Sequence, residues 1–294
     1  MNINRREFLG RSVALGAAAA LPLNSFAADA AVPAIRRATD VIEIGPGKIK
    51  ASRMGIGTGT YGAGHSSNQL RALGVDGVAA MLKAAYDKGI FLWDVADAYG
   101  THDAIKAVLK TVPRDKVTII TKTDAMTADK TKEDIDRFLK ELGTDYIDIL
   151  LLHTRMSPTW HEEDKGSMEV MAGAKDKKIL RAVGISCHSV EAMQVASKHE
   201  WLDVCMVRLN PAGERMDDAP ETVLPIVKQM KANGKGTIGI KVLGEGSLTD
   251  GIQHNEALRY ALAKNALNCF SIGCESLKEV EDNIARIEKL AVPA

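Results

Sequence analysis

The chain has 294 residues, 46% of them hydrophobic and 26% charged, which excludes a disordered polar chain and is ample for a large buried core. Lysine plus arginine and aspartate plus glutamate number 38 each, so no basic field recruits nucleic acid and no acidic excess marks a solvating tail. A small molecule is the partner these numbers favour.

Residues 1–30 read as a separate segment. A charged start, NRREFLG, gives way to the apolar run SVALGAAAALPL and then to small residues in NSFAADA, the order of an export signal. Arg5 and Arg6 followed by Phe8 and Leu9 resemble the twin-arginine signal, whose machinery moves folded proteins across the bacterial inner membrane. That resemblance implies the export machinery as a partner and the periplasm as the destination. The apolar run covers residues 12–23, short of the about 20 residues that a membrane span needs, so no stable membrane anchor is expected. Residues 31–294 form the remaining domain and stay close to neutral, because Arg5, Arg6 and Arg11 leave together with Glu7 and Asp29.

From Val41 the pattern becomes regular. VIEIGPGKIKAS has two short alternating runs around Pro-Gly, the mark of a hairpin. Eight apolar runs follow: RMGIGTG, FLWDVA, VTIITKT, ILLLHT, AVGISCH, VCMVRLN, TIGIKVLG and CFSIG. Each has the composition of a strand buried on both faces. Between them lie stretches with apolar residues three and four apart, such as KEDIDRFLKELG and SLKEVEDNIARIEKL, which predict helices. Eight strand-helix units match an α/β fold of the closed (β/α)8 barrel type preceded by a β-hairpin. A doubly wound open sheet would place GxGxxG after its first strand, and GTGTYGAG lacks that spacing. Cys187, Cys205, Cys269 and Cys274 sit in or beside these runs without CxxC spacing and are expected as buried free thiols.

In a parallel barrel the chemistry collects where strands end. FLWDVADAYG carries Asp94 at the end of the second run and Tyr99 just beyond it, ITKT carries Lys122 on the third, and LLLH carries His153 on the fourth. Neighbouring strands bring these four unlike groups to one side of the barrel mouth. A tyrosine with a pKa of about 10 is a poor proton donor at neutral pH unless a cation stabilises its phenolate, a task for Lys122. Asp94 then holds the lysine charged and aimed, and His153 hydrogen-bonds the substrate oxygen or helps pass the proton. The set suits protonation of a carbonyl oxygen while a hydride reaches its carbon. A metal-dependent hydrolase on the same barrel is the rival, but only His153 ends a strand, no HxH occurs, and no metal site is expected.

These residues resemble the aldo-keto reductase family. Its Asp, Tyr, Lys and His tetrad occurs in order as DVADAYG, ITKT and DILLLH, with the family's N-terminal hairpin ahead of it, and the likeness covers residues 41–290. The resemblance implies an NAD(P)H-dependent carbonyl reductase with Tyr99 as proton donor. It also implies where the nucleotide lies: Gly57 and Thr58 after the first strand, Ser186 and Cys187 after the fifth, Met206 on the sixth, and Ile240 and Leu243 at the seventh. Ser186 keeps the family pattern, whereas Cys187 stands where asparagine is usual, Met206 where glutamine is, and Ile240 where an aromatic ring often stacks. Past the eighth strand, alignment on Gly273 and Asn283 sets Glu275 and Glu279 at places commonly basic, with Lys278 the nearby cation. Carboxylates there favour NAD(H) over NADP(H), or else serve only the start of the last helix. Trp160 and Tyr61 either line the substrate site or cover apolar barrel ends, and His102 and His188 are expected at the surface or at helix starts. A second reading is an exported non-catalytic or sensor-like homologue that holds its cofactor tightly.

Overall fold

A computed structural model describes residues 35–294, and the predicted export signal lies outside the described residues. The first two strands, β1 (Val41–Ile44) and β2 (Ile49–Ser52), pair antiparallel as the hairpin around Pro46 and Gly47. The eight apolar runs become β3 (Met54–Gly57), β4 (Leu92–Asp94), β5 (Thr118–Thr123), β6 (Ile147–Arg155), β7 (Leu180–Cys187), β8 (Val204–Arg208), β9 (Gly236–Ile240) and β10 (Cys269–Gly273). All pair parallel with their neighbours, and β10 closes the ring onto β3. The fold is an α/β barrel of eight parallel strands with the hairpin in front, as the alternation of runs predicts.

Among the described residues nine α-helices connect the strands: α1 (Asn68–Asp87), α2 (His102–Val108), α3 (Ala128–Leu142), α4 (Trp160–Glu163), α5 (Lys165–Asp176), α6 (Val190–Ala196), α7 (Pro220–Ala232), α8 (Gly251–Ala263) and α9 (Leu277–Leu290). Several begin on side-chain caps, with Ser67, Thr127, Ser189, Asp250 and Ser276 accepting from backbone N–H groups of their first turns. No described helix is long and apolar enough to cross a membrane.

Alternation along the strands divides the interior in two. Outward side chains such as Trp93, Ile119, Leu150, Ile185, Val207 and Phe270 pack under the helices. Inward ones, including Leu92, Ile120, Ile149, Leu151, Val204, Met206 and Ile238, fill the barrel and meet Ile44, Ile49 and Ala51 of the hairpin. Each large apolar side chain buried this way contributes about 1.5–3 kcal/mol. The hairpin therefore stoppers the end where strands begin: Thr118 donates to Lys50 O at 2.5 Å, and the turn at Gly45 lies against the starts of β8 and β9. At that end the buried Asp148 is held by Arg114 at 2.7 Å, Arg181 at 2.6 Å and the Ile119 N–H at 2.9 Å. All four cysteines are buried and unpaired.

Candidate active site

The open end is built from the next inward positions. Asp94 ends β4 in register with Gly57 of β3 and Ile120 of β5. Lys122 lies one inward position above Ile120, and its ammonium leans back to Asp94 Oδ1 at 2.5 Å and to Val95 O at 2.9 Å. The lysine is 1% exposed and Asp94 5%, so this ion pair is removed from water. Such a pair is held by its geometry, since desolvation offsets most of the attraction.

Tyr99 ends a single 3-10 turn, Asp97–Tyr99, after β4. Its ring is gripped by GTGTYGAG: a Cβ on Gly59 would sit 2.3 Å from the ring and one on Gly62 2.4 Å. The glycines are there because the ring takes the space a side chain would need. Lys122 Nζ stands 4.7 Å from the ring centroid. His153 ends the inward series on β6 and meets Tyr99 edge-on, with centroids 5.8 Å apart at 79°. Its Nδ1 is 3.1 Å from Asp124, whose carboxyl the histidine keeps below its ordinary range. The four residues expected at the mouth thus converge.

Their electrostatics differ from the sequence reading in one respect. Burial raises the Tyr99 pKa above its usual value; Lys122 pulls it down without cancelling that, and Asp94 adds to the rise. Burial opposes the Lys122 charge as well, yet Asp94 and Tyr99 outweigh it and its pKa rises. Before any ligand binds, Tyr99 is a firmly protonated phenol beside a firmly charged ammonium.

A network behind the site fixes this geometry. Arg137 of α3 grips Asp97, the first residue of the Tyr99 turn, through two bonds of 2.7 and 2.8 Å, and also reaches Asp134 at 2.9 Å and Glu141 at 3.1 Å. Asp134 accepts from Thr123 at 2.6 Å, Glu141 meets His102 at 2.8 Å, and His102 meets Thr121 at 2.8 Å. Thr121 and Thr123 flank Lys122, so one guanidinium ties the turn of the proton donor to the strand of its cation. Asp97, His102 and Glu141 lie close enough together to hold a metal ion, but Arg137 already bonds two of them. His102 accordingly begins α2, one of its two expected places, but is buried there rather than at the surface.

From Tyr99 and Asp94 a cavity of about 810 Å³ runs past Gly57, Ile240, Leu243 and Gly273 to Glu275, Glu279, Asn283 and Arg286. Lys241 and Glu245 form an ion pair on its wall, and Arg215 approaches the same carboxylate at 3.6 Å.

A sequence profile of the Aldo/keto reductase family matches residues 53–291. The chain belongs to the aldo/keto reductase family. It is 30% identical over 197 residues to the aldo-keto reductase YhdN of Bacillus subtilis, an alignment covering 62% of this chain and 56% of that one. It is 25% identical over 202 residues to the NADH-specific methylglyoxal reductase of Escherichia coli K12, covering 60% and 61%. The chain thus spans about three fifths of the length of these curated relatives. Among solved structures, the holo form of aldo-keto reductase AKR11C1 from Bacillus halodurans superposes with a TM-score of 0.68 at 17% identity, covering 87% of this chain and 97% of that one, a likeness of fold.

Aldo/keto reductases use NAD(P)H. Ser186 faces the axis with a buried hydroxyl that has no hydrogen-bond partner. Two other residues of the expected nucleotide set turn elsewhere, while Met206 faces inward beside Ser186. Cys187 falls on the outward side of β7, with its thiol 3.4 Å from that of Cys205. Thr58 bonds Asp94 O at 3.2 Å and Thr101 at 2.8 Å, and Met206 is sealed in the inner core. Past β10, Glu279 is spent on the start of α9, accepting from the Glu275 N–H at 2.9 Å and Ser276 Oγ at 3.2 Å. Glu275 keeps its carboxylate on the wall, held by Asn68 at 2.8 Å, and Asn283 bonds His254 at 2.7 Å. Lys278 is exposed and off the wall. Trp160 is wholly buried against His161, His199 and Trp201, while Tyr61 is 57% exposed on the cavity rim.

Sequence reasoning passed over Arg208, Asp217 and Arg137. Arg208 was within reach of the period-2 pattern, because Val204 and Met206 face inward and Arg208 is the next residue of that series. Arg137 gave no such signal, since its partners lie on other elements.

Proposed function

We propose that this chain reduces an aldehyde or ketone to the alcohol with NAD(P)H, with Tyr99 as proton donor. The observation that carries the proposal is the buried Lys122–Asp94 pair, 2.5 Å apart, with the ammonium 4.7 Å from the Tyr99 ring. A bound reduced nicotinamide supplies the hydride. His153 and Tyr99 hold the carbonyl oxygen from two sides, the phenol gives its proton to the developing alkoxide, and the phenolate left behind is stabilised by Lys122. Asp94 keeps that cation aimed, and Ser186 offers its free hydroxyl to the carboxamide. The glycine grip on Tyr99 excludes water from one flank of the ring.

NAD(H) is the favoured form. Glu275, Glu279 and Asp282 line the far end of the cavity together with Arg286, whose guanidinium is bonded to Asp282 at 2.6 Å. A 2′-phosphate there meets net negative charge, whereas a ribose hydroxyl can donate to the fixed Glu275 carboxylate. The NADH-specific relative from Escherichia coli supports the same choice. Titrating both reduced cofactors at one ionic strength, with an aldehyde as acceptor, tests the proposal. Tighter NADH binding with turnover is expected, and Glu275→Arg is expected to strengthen NADPH about tenfold by adding a charge-assisted contact. Tighter NADPH binding that persists in Lys278→Ala defeats the preference.

Cys187 and Met206 leave Ser186 alone at the expected carboxamide contact, which favours a second reading, a homologue that holds its nucleotide without turnover. A preloaded sample that fails to reduce a reactive aldehyde in a single turnover would establish it. Export is likewise proposed on the N-terminal sequence: replacing Arg5 and Arg6 by lysines preserves charge, and retention of that variant in the cytoplasm is the expected result.

A further inference from the structure

Eight buried side-chain nitrogen and oxygen atoms among the described residues have no hydrogen-bond partner, and five of them fall in one sector of the mouth. They are Ser186 Oγ, Arg208 Nε, both carboxylate oxygens of Asp217, and His153 Nδ1, whose one contact is the ion-pair approach to Asp124 at 3.1 Å. Native structures leave few such groups, so a cluster of them marks a place where a ligand completes the bonding.

The register orders this sector by height. Ser186 pairs with Met206, and Arg208 is the next inward residue of β8, one layer nearer the opening. Beside it, the His188 N–H donates to Arg155 O at 2.8 Å, and Arg155 donates to His153 O at 2.6 Å, so His188 adjoins the strand end that carries His153. Arg208 in turn donates to His188 Nδ1. An arginine can only donate, so that ring nitrogen carries the lone pair and the proton is on Nε2. Burial, with Arg208 next in weight, holds the His188 pKa down to about 3, and the ring stays neutral.

Among the described residues Asp217 is the one carboxylate against this guanidinium, 3.2 Å from Nη1, with its side chain 1% exposed. Neither of its oxygens is aligned for a hydrogen bond, and burial pushes its pKa up to about 6. It leaves the Nε edge of Arg208 free.

We infer that Arg208 and His188 form a subsite for an anionic arm of the substrate, and that the preferred substrates are carbonyl compounds bearing a carboxylate. The guanidinium fork matches a planar carboxylate, and His188 Nε2–H adds a neutral donor on the side of His153. The carboxamide is the other candidate for these donors, but its contact, Ser186, lies a layer below Arg208, where Met206 faces it. This inference rests on the carbonyl-reductase reading, so its test includes a measurement that needs no turnover.

The test compares 4-carboxybenzaldehyde with its methyl ester as substrates, and measures benzoate binding by calorimetry. The unmodified protein is expected to favour the acid over the ester at least about tenfold in kcat/KM, one charge-assisted pair being of that order. Arg208→Met is expected to bring that ratio near one and to weaken benzoate about tenfold, while Arg208→Lys keeps part of both. Because Arg208→Met strands a buried carboxylate, Arg208→Met with Asp217→Asn is the folding control and is expected to show the same lost ratio. Equal use of acid and ester by the unmodified protein overturns the inference, as does an Arg208→Met effect confined to NADH affinity. Benzoate binding that depends on Arg208 in a protein without turnover supports the subsite and defeats the reductase reading instead.

Discussion

Tyr99→Phe is expected to lower carbonyl reduction by at least about a hundredfold, the lower range for losing a positioned general acid. The ring is what Gly59 and Gly62 grip, and phenylalanine keeps it, so the thermal midpoint is expected to stay close to that of the parent. Steady-state reduction of an aldehyde, read beside a melting curve, separates the two effects. Full activity with an unaltered pH profile would remove Tyr99 from the chemistry.

Lys122→Met is expected to act on both rate and stability. Methionine fills the stem's volume, but Asp94, 5% exposed, loses its only ammonium. Breaking a buried pair by removing one partner costs about 3–5 kcal/mol, and the melting temperature should fall accordingly. The rate should fall about a hundredfold, because the phenolate left by proton transfer has no cation beside it. The direction of the pH effect follows from the Tyr99 balance. Lys122 is the group that pulls the Tyr99 pKa down, so without it the pKa rises further. A general acid is lost as pH rises through its pKa, so the alkaline limb of the profile is expected to move to higher pH in the variant. Adding Asp94→Asn should recover much of the stability and none of the rate; recovery of both would place the pair outside catalysis.

The tetrad was legible because Asp94, Lys122 and His153 lie at the upper ends of unmistakably apolar runs and Tyr99 follows just beyond the first of them. LLLH and ITKT mark the upper reaches of their strands, although β6 runs on to Arg155 and β5 to Thr123, and parallel pairing does the rest. The nucleotide side was less legible for a reason of parity. Cys187 directly follows Ser186 in sequence, and resemblance joins them, but consecutive strand residues face opposite ways, so only one of the two can look into the barrel. The same parity explains Met206 and Arg208: attention to the family's glutamine position stopped one inward step short of the residue that reaches the mouth. Glu279 was ambiguous between nucleotide contact and helix start, and a serine three residues before it was the available sign of the second role. The rise in the Tyr99 pKa was outside the reach of residue types altogether, since it depends on how completely the ring is covered.

With its interior filled by side chains and its lower end covered by the hairpin, the barrel is a cup open at one end. Ile44 and Ile49 are 0% and 1% exposed there, so traffic has only the upper rim. Two guests that share one rim must queue: the one seated deeper arrives first and departs last. On the roles proposed for Ser186 and for Arg208 one layer above it, the dinucleotide's reactive ring would be the deeper guest and the carbonyl compound would close the cup over it.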